Sequence, residues 1–551
     1  MTSLRFKASA VVFASINTLV VPPSRAAHSN DSLPHLLHQN GRHELIVDGA
    51  PYLILGGQAH NSSAWPAAMP NVWSAVSSID ANTLEVPVYW QQMQPTPNTF
   101  DFSIVDSMIK SAREHHVRLV LLWFGTWKNG SSHYLPDWIK AQPEMCPRII
   151  GKTGKRVDSP SPFAPALRAA DTTAFRALMH HLKVTDLEHT VILVQVENEP
   201  GAWDTIRDYS PTAEKVFHEN VPDELISALA KEVDPALKPR AAKGDWPTVF
   251  GANADEYFHA YWVAHYIGEV AAAGKAEYPL PLYVNAALRD PLSHPAAGTY
   301  ESGGATDNVL AIWKAAAPAI DLLAPDIYFD DAPRYQKVLE LYARSDNALF
   351  VPETGRHATN SRYTFAALAQ GAIGFSPFGI DETTTLPASG EESAANRAAL
   401  EPFAVNYRVL KPMAGVIADL AYRGQLHAFV EEKGAAESQI VVLGAWEARA
   451  TFGPSPRGLG EHRAGNAEPM GRILVGTLAT NQFLVTGYLA HLDFKPVDSS
   501  NGLQREFVKV EEGVYDNGVF KALRIRNGDE TDWGLGFDAV PAVLRVTLGT
   551  Y

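Results

Sequence analysis

Two short acidic stretches carry residue types suited to hydrolysis. The apolar run 191–196 leads straight into Glu197, Asn198 and Glu199, and the run 349–352 leads into Glu353. Two carboxyl groups facing each other across a pocket are the equipment for breaking a glycosidic bond, one giving a proton to the leaving oxygen and the other attacking or activating water. Either glutamate alone reads equally well as an ion-pair partner on a rim; together they point to chemistry. Side chains alternate along a strand, so Glu197 and Glu199 share one face and Asn198 takes the other. The strand tip must bend if Asn198 and Glu199 are to face one pocket.

The elements that must position these residues follow from hydrophobic patterning. Eight β-rich runs, 53–55, 83–88, 118–123, 191–196, 281–284, 322–324, 349–351 and 372–375, alternate with stretches of helical spacing such as 102–115, 172–182 and 335–343. Apolar strands buried on both faces and joined through helices predict an α/β fold with a parallel sheet, and eight such units predict a closed (β/α)8 TIM barrel. An open doubly wound sheet lacks support, because no Gly-x-Gly-x-x-Gly follows the first strand. In a barrel, sites form at the C-terminal ends of strands, which sets Glu199 on strand four and Glu353 on strand seven, across the mouth.

Three segments are expected. Residues 1–26 read as a secretory signal: Arg5 and Lys7 precede an uncharged stretch, and Ser24 and Ala26 supply the small residues a signal peptidase reads. Residues 27–420 form the catalytic barrel, opened by a β-hairpin turning at Asp48-Gly49. Residues 421–551 form an all-β sandwich, with strands at 439–443, 472–475, 482–485, 507–510 and 543–546. A long surface loop is expected over 382–398, and a solvated turn at Glu431-Glu432-Lys433.

Composition removes several classes of function. The 551-residue chain carries a net charge of −15 and no run of Lys or Arg, which excludes a phosphate-tracking surface and makes nucleic acid a poor partner. A single cysteine, Cys146, excludes a disulfide framework and Cys-type metal sites. His60 stands alone after strand one, and the pairs 115–116 and 180–181 fall in helical stretches, so no metal and no cofactor are expected. The stretch within residues 1–26 is too short to span a bilayer. After its removal the protein is expected to be periplasmic or secreted, with no membrane association.

Several strand-end motifs resemble a known family. Asn198-Glu199 with Glu353 resembles the signature of the clan A glycosidases. More narrowly, Gly56-Gly57-Gln58-Ala59-His60, the segment 86–90 with Gln94-Pro95 and Phe100-Asp101-Phe102, and the segment 195–199 resemble glycoside hydrolase family 35, the β-galactosidases, from about Leu45 to Asp381. The resemblance implies that Glu199 is the acid/base, Glu353 the nucleophile and Asn198 the amide that binds the sugar 2-hydroxyl. It also implies retention of anomeric configuration, with carboxyl groups about 5 to 5.5 Å apart. Two positions depart from the family pattern: Thr126 stands where many members carry a galactose-binding Glu after strand three, and Asn61 follows His60 where members carry Tyr. His60 and Asn61 are nonetheless taken as substrate-binding. The pattern resembles a divergent bacterial branch that includes enzymes acting on plant-wall side chains such as those of xyloglucan.

Aromatic residues suit this reading, because the C–H face of a pyranose is apolar. Trp65, Trp90, Trp123, Trp127, Trp203 and Phe378 lie at or past strand ends; Trp90 and Trp123 read as core, Trp127 and Trp203 as a stacking platform. Tyr328 is placed where its phenol can bond the nucleophile, or where it packs as a rim aromatic. Lys128 reads as solvated on a glycine-rich loop, and Glu85 as structural, buried inside the barrel with a basic partner. The expected activity is exo-acting hydrolysis of terminal β-galactosyl residues of an oligosaccharide or polysaccharide. A β-glucosidase, an endo-glycanase or a non-catalytic carbohydrate-binding barrel are the alternatives, and a homodimer is one assembly the sequence allows.

Overall fold

The computed structural model describes residues 33–382, 386–434, 438–453, 465–498 and 502–551. The segment read as a secretory signal lies outside these residues. No described helix is long and apolar enough to cross a membrane.

Eight parallel strands close into a barrel: β1 (Ile54–Gln58), β2 (Thr83–Tyr89), β3 (Arg118–Lys128), β4 (Val191–Asn198), β5 (Leu282–Ala286), β6 (Leu322–Ile327), β7 (Val351–Thr354) and β8 (Gly374–Pro377). Every residue of β4 is buried, as is every residue of β2, because each strand is covered by side chains inside the barrel and by helices outside. Helix Ser103–Glu114 shows the covering layer, turning Ile104, Val105, Met108, Ile109 and Ala112 inward at helical spacing. The barrel closes where Ile54 and Leu55 of β1 pair with Gly374 and Phe375 of β8. Gly374 is required there, since a Cβ would stand 2.4 Å from that of Ile54.

The hairpin at Asp48-Gly49 is present, with both residues at positive φ (52° and 74°), and it is extended to a three-stranded sheet by His35–Gln39. Each of the eight barrel runs read from the sequence overlaps a barrel strand, the run 349–351 only at Val351. β3 runs further than expected, through Lys128, which changes the setting of Trp127 and Lys128. Of the stretch expected as a loop over 382–398, the described residues up to 393 are irregular and the last five are helical: helix Ala394–Leu410 follows Ser393, whose hydroxyl caps the Asn396 amide.

Beyond helix Ala414–Tyr422 lie two antiparallel sheets, one of six strands and one of four, with a shared apolar core that includes Phe429, Trp446, Phe452, Phe483, Phe494 and Leu544. This is the expected all-β sandwich. Two buried arginines join it to the barrel side: Arg472 donates to Asn406 Oδ1 at 2.7 Å, and Arg362 donates to the Glu431 carbonyl at 3.0 Å. Glu431 is therefore no part of a solvated turn. Its carboxylate is buried and accepts from the amides of Asn466 (2.7 Å) and Gly471 (2.8 Å).

Candidate active site

The end of β4 bends as the chemistry requires. Glu197 and Glu199 both take positive φ (65° and 42°), so the strict alternation of an extended strand is broken on both sides of Asn198. Glu197 turns away from the barrel mouth, where its Oε2 accepts from the Trp127 backbone amide at 2.6 Å beside Asp171. Asn198 and Glu199 turn toward the mouth. Neighbouring loops are stitched to this tip through the backbone: Asn129 N donates to Asn198 O (3.1 Å), Gly130 N to Glu199 O (2.9 Å), and Ala202 and Ser302 exchange two bonds.

Glu353 on β7 faces Glu199, and Asp326 on β6 joins them. One carboxylate oxygen from each of the three lies within 4.8 Å of the others, the single group of metal-ligand spacing among the described residues. Both oxygens of Glu353 already accept hydrogen bonds, from Gln58 Nε2 at 2.9 Å and from the Tyr328 hydroxyl. Asp326 accepts from Asn285 Nδ2 at 2.6 Å, while Asn285 Oδ1 accepts from the Glu199 amide at 2.9 Å. One amide side chain thus spans the backbone of the first acid and the carboxylate of the third.

Burial sets the proton affinities here. Glu199 is pushed up to about 7, first by desolvation and then by the charge of Glu353, with Lys128 opposing. Asp326 is held well above the usual carboxylate range by burial and then by Glu353 and Glu199. A carboxyl protonated near neutrality beside a hydrogen-bonded carboxylate can give a proton to a leaving oxygen while its partner attacks carbon.

Lys128 is not solvated. It is 5% exposed at the end of β3, and its ammonium donates to Asn198 Oδ1 at 2.8 Å and to Asn129 Oδ1. Fixing Oδ1 this way leaves Asn198 Nδ2 as the uncommitted end of the amide; that nitrogen is buried and has no partner. Tyr328 is half exposed with its hydroxyl on Glu353, so its position at the nucleophile prevails over a packed rim role. Trp203 is 48% exposed, four residues past Glu199.

Other expected residues lie elsewhere. Trp127 is fully buried, edge-on to the Tyr266 ring, because β3 continues past it; it offers no stacking face. Thr126 turns outward as well, donating to Asp171 Oδ2 at 2.6 Å. His60 is tied to Asp381 through its amide (2.8 Å) and its ring Nδ1 (3.2 Å), and lies edge-on to Phe378 on the β1 to β8 side of the mouth. Asn61 uses its carbonyl to accept from Tyr134, while its buried side-chain oxygen has no partner. Trp90 and Trp123 are core, as read. Glu85 is buried in the barrel, but it accepts from the Tyr283 phenol at 3.3 Å rather than pairing with a cation, and burial raises its proton affinity well above the usual carboxylate range.

Three site residues escape a reading by residue type: Lys128, Asp326 and Glu301. Glu301 lies in the connection between β5 and β6, is 3% exposed, and has an Oε1 with no hydrogen-bond partner. Burial and then the charge of Glu199 raise it well above the usual range, with Lys128 opposing. The only sequence signal was for Asp326, two residues before Tyr328 at a strand end.

Comparison with known proteins gives matches in two segments. Residues 67–231, which include Asn198 and Glu199 but not Glu353, match the glycoside hydrolase family 42 profile described as β-galactosidase. Residues 403–538 match a domain of unknown function, DUF5597. A β-galactosidase of Xanthomonas manihotis is 27% identical over 170 residues, 29% of this chain and 26% of that protein. The chain thus spans about a quarter of the length of that relative. Among solved structures, a β-galactosidase from Bacillus circulans sp. alkalophilus aligns at 16% identity and TM-score 0.48, covering 67% of this chain and 57% of the other. The family 42 β-galactosidase Gan42B of G. stearothermophilus aligns at 14% and 0.47, covering 66% and 57%. The matching profile is that of family 42, where the strand-end motifs resemble family 35; both readings fall in clan A and concern β-galactosidases.

Proposed function

We propose that this protein is a retaining, exo-acting β-galactosidase that removes terminal β-galactosyl residues from an oligosaccharide or polysaccharide, plant-wall side chains such as those of xyloglucan included. The observation that carries the reading is the opposed pair, Glu199 and Glu353, with carboxylate oxygens within 4.8 Å. That spacing fits direct attack by one carboxylate better than the wider gap an inverting enzyme keeps for water. The partial matches to β-galactosidases support the sugar, and the strand-end motifs support a place in the family 35 branch beside the family 42 match. With residues 1–26 read as an export signal, the substrate is met in the periplasm or outside the cell.

The steps follow from the groups in place. Gln58 and Tyr328 hold the Glu353 carboxylate, which attacks the anomeric carbon as Glu199 gives its proton to the departing oxygen. Asn198, its amide oriented by Lys128, donates to the sugar 2-hydroxyl, a contact that strengthens as positive charge develops on the ring. Once Glu353 is an ester its charge is gone, so Glu199 becomes more acidic and takes a proton from the incoming water. Water then attacks the same carbon, the ester bond breaks, and the second inversion restores the original configuration.

A β-glycosidase of other sugar specificity is the second reading, favoured by Thr126, whose hydroxyl is spent on Asp171 and offers the mouth nothing. A panel of nitrophenyl β-glycosides, with the product anomer followed by NMR, separates the readings. Preferential galactoside cleavage with retention is the expected result. Another preferred glycoside discards galactose and keeps the mechanism; inversion discards the mechanism.

A further inference from the structure

Glu301 is a buried acid at the mouth that the proposed reaction does not use and that, unlike Asp326, has no hydrogen bond from a neighbouring side chain among the described residues. Its carboxyl rests in a niche made by two glycines: a Cβ at Gly130 would collide with Glu301 Oε1, and one at Gly201 would stand 2.8 Å from its Cγ. The niche is rigid, because the paired backbone bonds between Ala202 and Ser302, at 2.8 and 3.0 Å, fix the residues beside both partners. The nearest cation, Lys128, is already bound to Asn198 and Asn129, and no ion pair with Glu301 is found among the described residues. A carboxyl 3% exposed with an unpartnered oxygen costs stability unless something arriving at the site pairs with it.

Its place relative to the acid and the nucleophile says what arrives. Glu199 must reach the leaving oxygen, so groups beyond it on the β4 and β5 side face the leaving group, while Glu353 on β7 marks the side of the sugar being transferred. Glu301 packs on Gly201, two residues past Glu199, and the exposed Trp203 ring lies against the same Gly130 position, where a Cβ would meet its Cδ1 at 3.0 Å. A carboxyl oxygen without a partner beside a half-exposed indole matches a pyranose, which brings hydroxyls on its rim and an apolar C–H face.

We propose that Glu301 and Trp203 bind the first sugar of the leaving group, Glu301 pairing with one of its hydroxyls and Trp203 stacking on its ring, so that the enzyme is built for a β-linked oligosaccharide. This rests on the glycosidase reading above. The test measures kcat/KM for a nitrophenyl β-glycoside and for a disaccharide with the same terminal sugar, using the full chain as wild type, Glu301→Ala and Trp203→Ala. The disaccharide-to-nitrophenyl ratio is expected to fall about tenfold to a hundredfold in Glu301→Ala, through KM more than kcat, with a fall in the same direction in Trp203→Ala. A ratio within twofold of wild type in both variants overturns the inference, as does a wild type that cleaves the nitrophenyl glycoside and ignores disaccharides. If Glu301→Ala does not fold, Trp203→Ala alone decides, since its half-exposed ring is not needed for the core. A wild type that cleaves no β-glycoside overturns the glycosidase reading itself, and the inference with it.

Discussion

Glu197 and Glu199 are two residues apart on one strand end and meet opposite surroundings. Glu197 is fully buried, bonded to the Trp127 amide and set beside Asp171, whose own carboxylate is occupied by Trp123 Nε1 at 2.9 Å and Thr126 at 2.6 Å. Glu199 is only partly buried and faces Glu353 and Asp326, with the free amide nitrogen of Asn198 beside it. Burial raises the proton affinity of both, so a raised pKa does not by itself mark a catalytic acid. Access does. Glu197 is 0% exposed, with its Oε2 on the Trp127 amide and its Oε1 buried without a partner, whereas Glu199 is partly exposed beside Glu353 and Asp326.

The largest way to break this contrast is to remove the open pair. Glu353→Gln is expected to lower kcat on the order of 10³-fold or more, because no group remains to form the ester; near wild-type turnover in that variant would end the assignment. Glu199→Gln should cost about 10²- to 10⁴-fold with a sugar leaving group and less with nitrophenol, which departs without a proton. An equal loss for both leaving groups would take proton donation away from Glu199.

The pH dependence sharpens the contrast by a smaller amount. Glu199 must be protonated to act first, and its affinity is pushed up to about 7, so kcat/KM should fall as pH rises through that value and the proton is lost. Lys128 lowers that affinity, so Lys128→Met should move the falling limb to higher pH. The same variant should lower kcat/KM about tenfold, since Asn198 loses the donor that orients its amide. A limb that stays put while activity falls would confine Lys128 to positioning Asn198.

The pieces of this site differ in how far residue order betrays them. Barrel strands announce themselves because each is apolar on both faces, and Glu199 and Glu353 follow directly on two such runs. Among the described residues after 425, five of ten strands show in the sequence as short β-rich runs; strand Trp446–Phe452 hides because alanines fill two of its four core positions, and Val519–Ile525 because it is largely exposed. Lys128 was misread because β3 continues through Gly125 and Thr126, which look like a loop. Glu301 sits far from any periodic segment, and its meaning comes only from Gly130 and Gly201, brought to it by two other loops. Trp127 fails as a sugar platform for the same reason that Lys128 succeeds: the strand does not stop at residue 123, so alternate side chains there belong to opposite layers.

The smallest expected effect is the most discriminating. If Glu197 keeps its proton beside Asp171, Gln at that position is close in shape and charge to what is already there, and its carbonyl oxygen can still accept from the Trp127 amide. Glu197→Gln is therefore expected to change stability by no more than about 1 kcal/mol and kcat/KM by no more than about threefold. Glu197→Ala, which leaves the Trp127 amide without its acceptor and opens a cavity against Asp171, should cost about 2 to 4 kcal/mol in denaturant unfolding. The identical Glu→Gln change two residues on is expected to cripple the enzyme. Should the two Gln variants lose activity alike, the bend around Asn198 would not separate a structural acid from a catalytic one, and the assignment of Glu199 over Glu197 would fail.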